Sequence, residues 1–276
     1  MIAALLLTAA SPWELVILGV AQDAGIPHLG CDKGVCAEIK KGKRKPEKVS
    51  SIGLVNKTTG ESYLFDATPD IRAQLTTLNG GKKPSGVFLT HGHMGHYTGL
   101  LYFGRESVDW KGVPVFGSAR MGKYLAGSDP WKFILERNLT LREIAPDQAV
   151  DLPGGVKVTG FTVPHRDEFT DTYGYLIEGP DRKAVFIPDI DRWERWDRDI
   201  RTLAGTADLL FLDGTFSTPG EIGARDITQI PHPMIPHTRE LLKGTKAKLW
   251  FIHLNHTNAA LGRDKDVVRE GMRFSL

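Results

Sequence analysis

The chain has 276 residues, 41% apolar and 25% charged, with a net charge of +2. Such proportions belong to a globular protein with a full core, and the near-neutral balance gives no general reason to expect nucleic acid as a partner. No apolar run approaches the ~20 residues that a membrane-spanning helix needs, and no linker or repeat divides the chain.

In chain order, residues 2–10 form a short apolar stretch ending in small residues, with no Lys or Arg before it. That resembles an export signal. The expected organisation is therefore a removable segment at 1–10 and one domain over 11–276, in the periplasm or secreted; without export it stays cytoplasmic. WELVILGVAQ (13–22) reads as a buried strand running into a Gly-containing loop. Cys31 and Cys36 follow in HLGCDKGVC. Export would make a small-loop disulfide plausible, whereas a structural zinc needs two further ligands, and only His28 is close in sequence. KKGKRKPEK (40–48) reads as a solvated basic loop, with an anion-binding patch as the alternative. Residues 51–67 read as a hairpin around NKTTG, and 69–78 have helical apolar spacing behind a Pro start.

Five apolar runs then end in metal-competent side chains. VFLT stops at His91, VKVTGFTVP at His165, AVFIP at Asp189, LLFL at Asp213 and KLWFI at His253, while LFDA adds Asp66. In layered α/β proteins ligands collect outside the carboxyl ends of strands. One such residue is ordinary; five together call for a common site.

The segment FLTHGHMGHYTGLL (88–101) adds His93 and His96 to His91 within six residues. Imidazoles with a carboxylate suit zinc, iron, copper or nickel. His91, His93, His165 and Asp189 make a credible first site. His96, Asp189 and His253 could hold a second ion, with Asp189 bridging; a polar core network is the bland alternative.

THGHMGH followed in order by VPH, IPD and FIH resembles the metallo-β-lactamase fold superfamily. The resemblance implies an α/β fold, an αββα sandwich in a single domain, and a one- or two-metal site at one edge of the sheets. It also implies the ligands His91, His93, His96, His165, Asp189 and His253. LGVAQDAGIPHLGC, LLFLDGTF and IHLNHTN are similar to the pyrroloquinoline quinone biosynthesis protein B branch. The superfamily motif is HxHxDH, and its Asp, a second-site ligand, is Gly95 here. One firmly held zinc and a weaker or absent second are expected, with Asp213 or His256 as substitute ligands and iron as the alternative metal.

These readings make the chain a metal-dependent hydrolase of a small ester, lactone, amide or phosphodiester. A metal hydroxide is the nucleophile. Asp189, Asp213 and His256 are the candidate catalytic residues, with His232 a further possible acid. The alternative is an iron-dependent oxygenase or accessory role in quinone-cofactor biosynthesis; a third class is a binding protein whose catalysis has lapsed. The expected partner is a small-molecule substrate, and oligomeric state stays open.

Several residues carry a plainer alternative. Asp66 orients the first histidine loop or caps the helix after Pro69. Arg166 and Asp167 line the mouth or form a surface ion pair. His232 and His237 read as loop histidines, and Trp193 and Trp196 as core residues on one helix face.

Overall fold

A computed structural model describes residues 11–223, 226 and 230–276. The expected export segment, 1–10, lies outside the described residues. Strands β1 (Trp13–Gly19), β2 (Ser51–Asn56), β3 (Ser62–Phe65), β4 (Gly86–Phe88), β5 (Val113–Gly117) and β6 (Leu139–Glu143) come first. There follow β7 (Ala149–Leu152), β8 (Val156–Val163), β9 (Thr172–Glu178), β10 (Lys183–Ile187), β11 (Leu209–Asp213), β12 (Lys248–Ile252) and β13 (Arg273–Ser275). One sheet has the order β13-β1-β2-β3-β4-β5-β6 and the other β12-β11-β10-β9-β8-β7.

Both faces of the central strands are covered, which is why they read as continuous apolar runs and not as alternating ones. Successive side chains still point to opposite faces. Leu15 and Ile17 of β1, Phe186 of β10 and Phe211 of β11 face inward to the core between the sheets. After the short helix α1 (Gly34–Lys40), the core beneath Val16 and Leu18 lies under α2 (Ile71–Asn79), and the same core continues under α4 (Ala119–Ala126) and α5 (Trp131–Arg137). On the far side Val185, Ile187, Leu210 and Leu212 pack under α6 (Ile200–Ala204), Trp193 and Trp196. The order helix, sheet, sheet, helix is the expected αββα sandwich. Phe65 and Phe88 stack with centroids 4.9 Å apart and meet Phe186 and Tyr175 of the opposite sheet edge-on, a geometry their ring quadrupoles favour.

The hairpin forms as expected, with Asn56 Oδ1 accepting from the N–H groups of Thr58 and Thr59 in its turn. Helix α2 begins two residues later than the Pro start, behind Asp70, and ends at Gly80 in the left-handed conformation. Trp193 and Trp196 are buried core residues, but on a single 3-10 turn (Trp193–Arg195) and its exit. Among the described residues no helix is long and apolar enough to cross a membrane.

The hinge between the first sheet and the site is a close backbone approach. His96 lies on the short helix α3 (Met94–Tyr97), which runs into a 3-10 turn at Thr98–Phe103. The Ala67 N–H donates to His96 O at 2.8 Å, and the Gly99 N–H to Ala67 O at 2.9 Å. A Cβ on Gly99 would lie 2.1 Å from Thr68 O, so this packing admits glycine alone. Gly99→Ala is expected to cost about 3 kcal/mol or more, the upper range for overpacking. Urea unfolding checks this, and an unchanged midpoint would contradict the close approach.

Candidate metal centre

Parallel pairing of β10 with β11 and of β11 with β12 keeps these strand ends level. Asp189, Asp213 and His253 therefore arrive at one sheet edge, and His91 and His165 reach it from the other strands. Donor atoms of His91, His93, His165 and Asp189 lie within 4.8 Å of one another. So do those of Asp23, His96 and His253, and those of Asp189, Asp213 and His253. Asp189 stands between the groups: Oδ1 is 3.3 Å from His165 Nε2, while Oδ2 is 3.4 Å from His91 Nε2, 3.5 Å from His253 Nε2 and 3.8 Å from His96 Nε2. All six expected metal residues are thus brought together.

The chemistry of this donor set suits a cation. His165 Nδ1 and Nε2, His96 Nε2, His253 Nε2, Asp189 Oδ1 and Asp23 Oδ1 are buried without a hydrogen-bond partner. Each unsatisfied buried polar atom costs about 1–3 kcal/mol, and six in one cluster is a large cost unless an ion serves them. Burial, helped by neighbouring imidazoles, holds His91 and His165 far below the usual histidine range and His253 down at about 3. Neutral imidazoles keep a lone pair free. Burial, with Asp213 and Asp23 nearby, pushes the Asp189 carboxyl up to about 8 against the pull of His232 and His96; a bound cation reverses that balance.

The far side of each ring is tied down. Asp66, in a left-handed backbone conformation (φ 69), accepts from Thr90 N at 2.8 Å and faces His96 Nδ1 at 2.7 Å. The Thr90 hydroxyl contacts both Asp66 and, at 2.9 Å, His91 Nδ1. Asp66 therefore orients the histidine loop and does not cap α2. Gly92 N donates to Thr170 Oγ1 at 2.9 Å, and Tyr173 N to Thr90 O at 2.9 Å, fixing the loop across the two sheets. His253, also left-handed (φ 65), sets its Nδ1 3.1 Å from Thr215 Oγ1. Such outer contacts fix ring orientation in metal sites.

Other expected residues fall differently. Asp213 is fully buried and accepts from Thr215 N at 2.8 Å and Ile190 N at 3.2 Å. His232, read as a loop histidine, joins the site: its Nδ1 is 2.8 Å from Asp213 Oδ2 and 3.3 Å from Asp189 Oδ1. Burial opposes its charge, but Asp213 and Asp189 raise its pKa to about 9. Nothing in IPHPMIPH marks His232 over His237; His232 stays in the loop, whereas His237, also read as a loop histidine, lies on the helix Ile235–Leu241. His237 is half-exposed and pairs with Glu194. His256 is not at this edge. It stacks on His28 at 4.4 Å, lies 3.6 Å from Cys36 Sγ, and groups with Cys31 and Cys36. Cys31 and Cys36 are free cysteines in this structure, without the disulfide that export would make plausible. Arg166 does line the mouth, 3.3 Å from His93 Nε2, beside Glu168 at 3.1 Å; Asp167 accepts from the Thr172 hydroxyl.

A carboxylate at the site that sequence reading missed is Asp23. A Cβ on Gly95 would lie 2.5 Å from Asp23 Oδ1 and 2.6 Å from Asp23 Cα. The space that the motif carboxylate vacates is thus filled by another carboxylate, 3.4 Å from His96 Nε2. Of the two expected substitutes, His256 lies away from this edge, whereas Asp213 stays in a donor group with Asp189 and His253, and Asp23 joins it as a further candidate. The available signal was AQDAG, an acidic residue in the loop leaving β1.

A family model described as "Beta-lactamase superfamily domain" matches residues 61–254. The chain belongs to this superfamily. It is similar to "Coenzyme PQQ synthesis protein B" of Methylobacterium sp. (strain 4-46), with 24% identity over 289 residues, 93% of this chain and 94% of that one. The protein of the same name from Methylorubrum extorquens (strain PA1) is 27% identical over 286 residues, covering 91% and 92%. Among solved structures, Zn(2+)-bound PqqB from Methylobacterium extorquens matches with a TM-score of 0.81 at 22% identity, over 95% of this chain and 100% of that one. A diphosphatase from the PhnP family matches with a TM-score of 0.73 at 23% identity, over 96% and 98%. These likenesses show the same fold.

Asp66→Asn keeps the size of the side chain but weakens its hold on Thr90 and His96. Metal affinity is expected to fall about 10–100-fold, as when outer partners of metal ligands are lost. Chelator competition measures it, and unchanged affinity would remove Asp66 from this role.

Proposed function

We propose that the chain is a zinc-dependent hydrolase, with His91, His93, His165 and Asp189 as the first metal site. The observation that carries this is the convergence of these four donors within 4.8 Å, with buried donor atoms of His165 and Asp189 that have no other partner. Zinc is supported by the donor set, which suits it, and by the Zn(2+)-bound state of a relative of the same fold. A bound zinc supplies Lewis acidity and an activated water. The residues around it hold and orient: Thr90 and Asp66 set the rings of His91 and His96, and Thr215 sets His253. His232, within reach of Asp189 and Asp213, is better placed than His256 to hold a proton for a leaving group.

The substrate class is read from the approach. A groove of about 500 Å³ is lined by Arg120, Lys123, Tyr124 and Phe169. Phe169, 53% exposed, stands edge-on to His93 at 6.3 Å, so the groove opens beside the site. Arg120 donates to the Asp167 carbonyl, an arrangement that leaves guanidinium charge for an anion. Of the ester, lactone, amide and phosphodiester classes, the phosphodiester fits best, since guanidinium and ammonium groups recognise phosphate oxygens. The second reading is an accessory role in quinone-cofactor biosynthesis, which the names of the relatives favour.

Elemental analysis of protein purified without added metal tests the proposal. Zinc should be found, with His91→Ala and His165→Ala each losing about one equivalent. Iron in its place would favour oxygen chemistry, and unchanged metal in both variants would sink the site. With bis(p-nitrophenyl) phosphate as probe, Arg120→Ala is expected to raise KM about tenfold with kcat little changed, because a uniform binding contact is lost. An unaltered KM would remove the anion reading of the groove.

A further inference from the structure

We infer that Asp23 is a ligand of a second divalent cation, held with His96, His253 and the shared Asp189, and that it replaces the carboxylate missing at Gly95. The inference rests on the proposed metal-dependent function and adds a residue and a second site to it.

The first argument is spatial exclusion. A side chain at 95 would begin 2.5 Å from Asp23 Oδ1 and 2.6 Å from its Cα, distances no relaxed structure tolerates. Asp23 and a motif Asp are therefore alternatives for one volume. The second argument is delivery. The loop bearing Asp23 is stapled to the segment bearing His253: Gln22 N donates to Leu254 O at 2.9 Å, and Leu254 N to Val20 O at 2.8 Å. Gly25 N donates back to Gln22 O at 2.8 Å, closing a turn with Asp23 inside it.

The third argument is the state of the donor atoms. Donor atoms of Asp23, His96 and His253 lie within 4.8 Å of one another, and Asp23 Oδ1, His96 Nε2 and His253 Nε2 have no hydrogen-bond partner. The opposite nitrogens are engaged, His96 Nδ1 with Asp66 and His253 Nδ1 with Thr215. Both Nε2 atoms are thereby aimed inward, as in rings that bind metal. A simple His96–Asp23 ion pair would leave His253 Nε2 stranded in the core, whereas one cation serves all three. Asp189 Oδ2, 3.5 Å from His253 Nε2 and 3.8 Å from His96 Nε2, completes a four-donor N/O set. Such a set suits zinc, manganese or ferrous iron.

The test is zinc titration by calorimetry of the metal-stripped full chain, with elemental analysis. Wild type should take up about two equivalents and Asp23→Asn about one, the second site weakening by more than about 100-fold, beyond what loss of an outer partner causes. His91→Ala should affect the other equivalent. Gly95→Asp alone should also lose the second equivalent, because two carboxylates cannot share the volume, and pairing it with Asp23→Gly should bring it back. Thermal melts confirm that each variant is folded. Two equivalents retained in folded Asp23→Asn would overturn the inference. One equivalent in wild type, lost in His91→Ala and untouched by Asp23→Asn, would also overturn it while leaving the proposed function standing. No zinc in wild type would end both.

Discussion

Asp189 is a carboxylate almost wholly removed from water, 2% exposed, at the end of a strand whose neighbours are all apolar. Burying such a group costs more than the nearby His232 and His96 return, so its carboxyl is pushed up to about 8. A cation on either side resolves the cost. Much of the surrounding architecture can be understood from that constraint. The parallel pairing that levels β10, β11 and β12, the outer hydrogen bonds that aim the rings, and the two left-handed residues Asp66 and His253 all serve to bring donors to this carboxylate. Left-handed conformations at residues other than glycine cost about 1–3 kcal/mol and persist where surrounding structure enforces them. Here the enforcement is the hydrogen bonds of Thr90, His96 and Thr215.

The site also shows how a chemical function is tied to a volume and not to a position in the chain. On the short helix α3 the motif carboxylate is gone, yet an oxygen occupies the same space from the loop after β1. With no Cβ at Gly95, the Asp23 carboxylate has room beside His96. A motif read along the chain registers the loss at Gly95 alone; a local volume registers the gain at Asp23 as well.

Electrostatics divides the site into two halves. His91, His165 and His253 are held neutral by burial and by one another. His96, against the same burial, is driven well above the usual histidine range by Asp66 and Asp23, and His232 likewise by Asp213 and Asp189. Buried carboxylates gather on the side of Asp23, Asp66 and Asp213, while the side facing the groove carries Arg120, Lys123 and Arg166 with Glu168 and Asp167 beside them.

The sequence alone determined the sandwich and most of the site's membership. Strands buried on both faces must be apolar throughout, so the runs ending at His91, Asp189 and Asp213 declared both the strands and their loaded ends, while β8 alternates on its way to His165 and β12 starts exposed before His253. The close histidines of THGHMGH declared a shared site, since few other uses require that spacing. Tertiary structure alone decided what arrives from loops. Asp23, His232 and His256 sit in segments where no periodicity fixes direction, and a few backbone torsions carry a side chain into the site or away from it. Thus Asp23 and His232 face the metal donors, while His256 turns to Cys36 and His28. Strand pattern is a local property of the chain; the meeting of distant loops is set by packing, which no local pattern encodes.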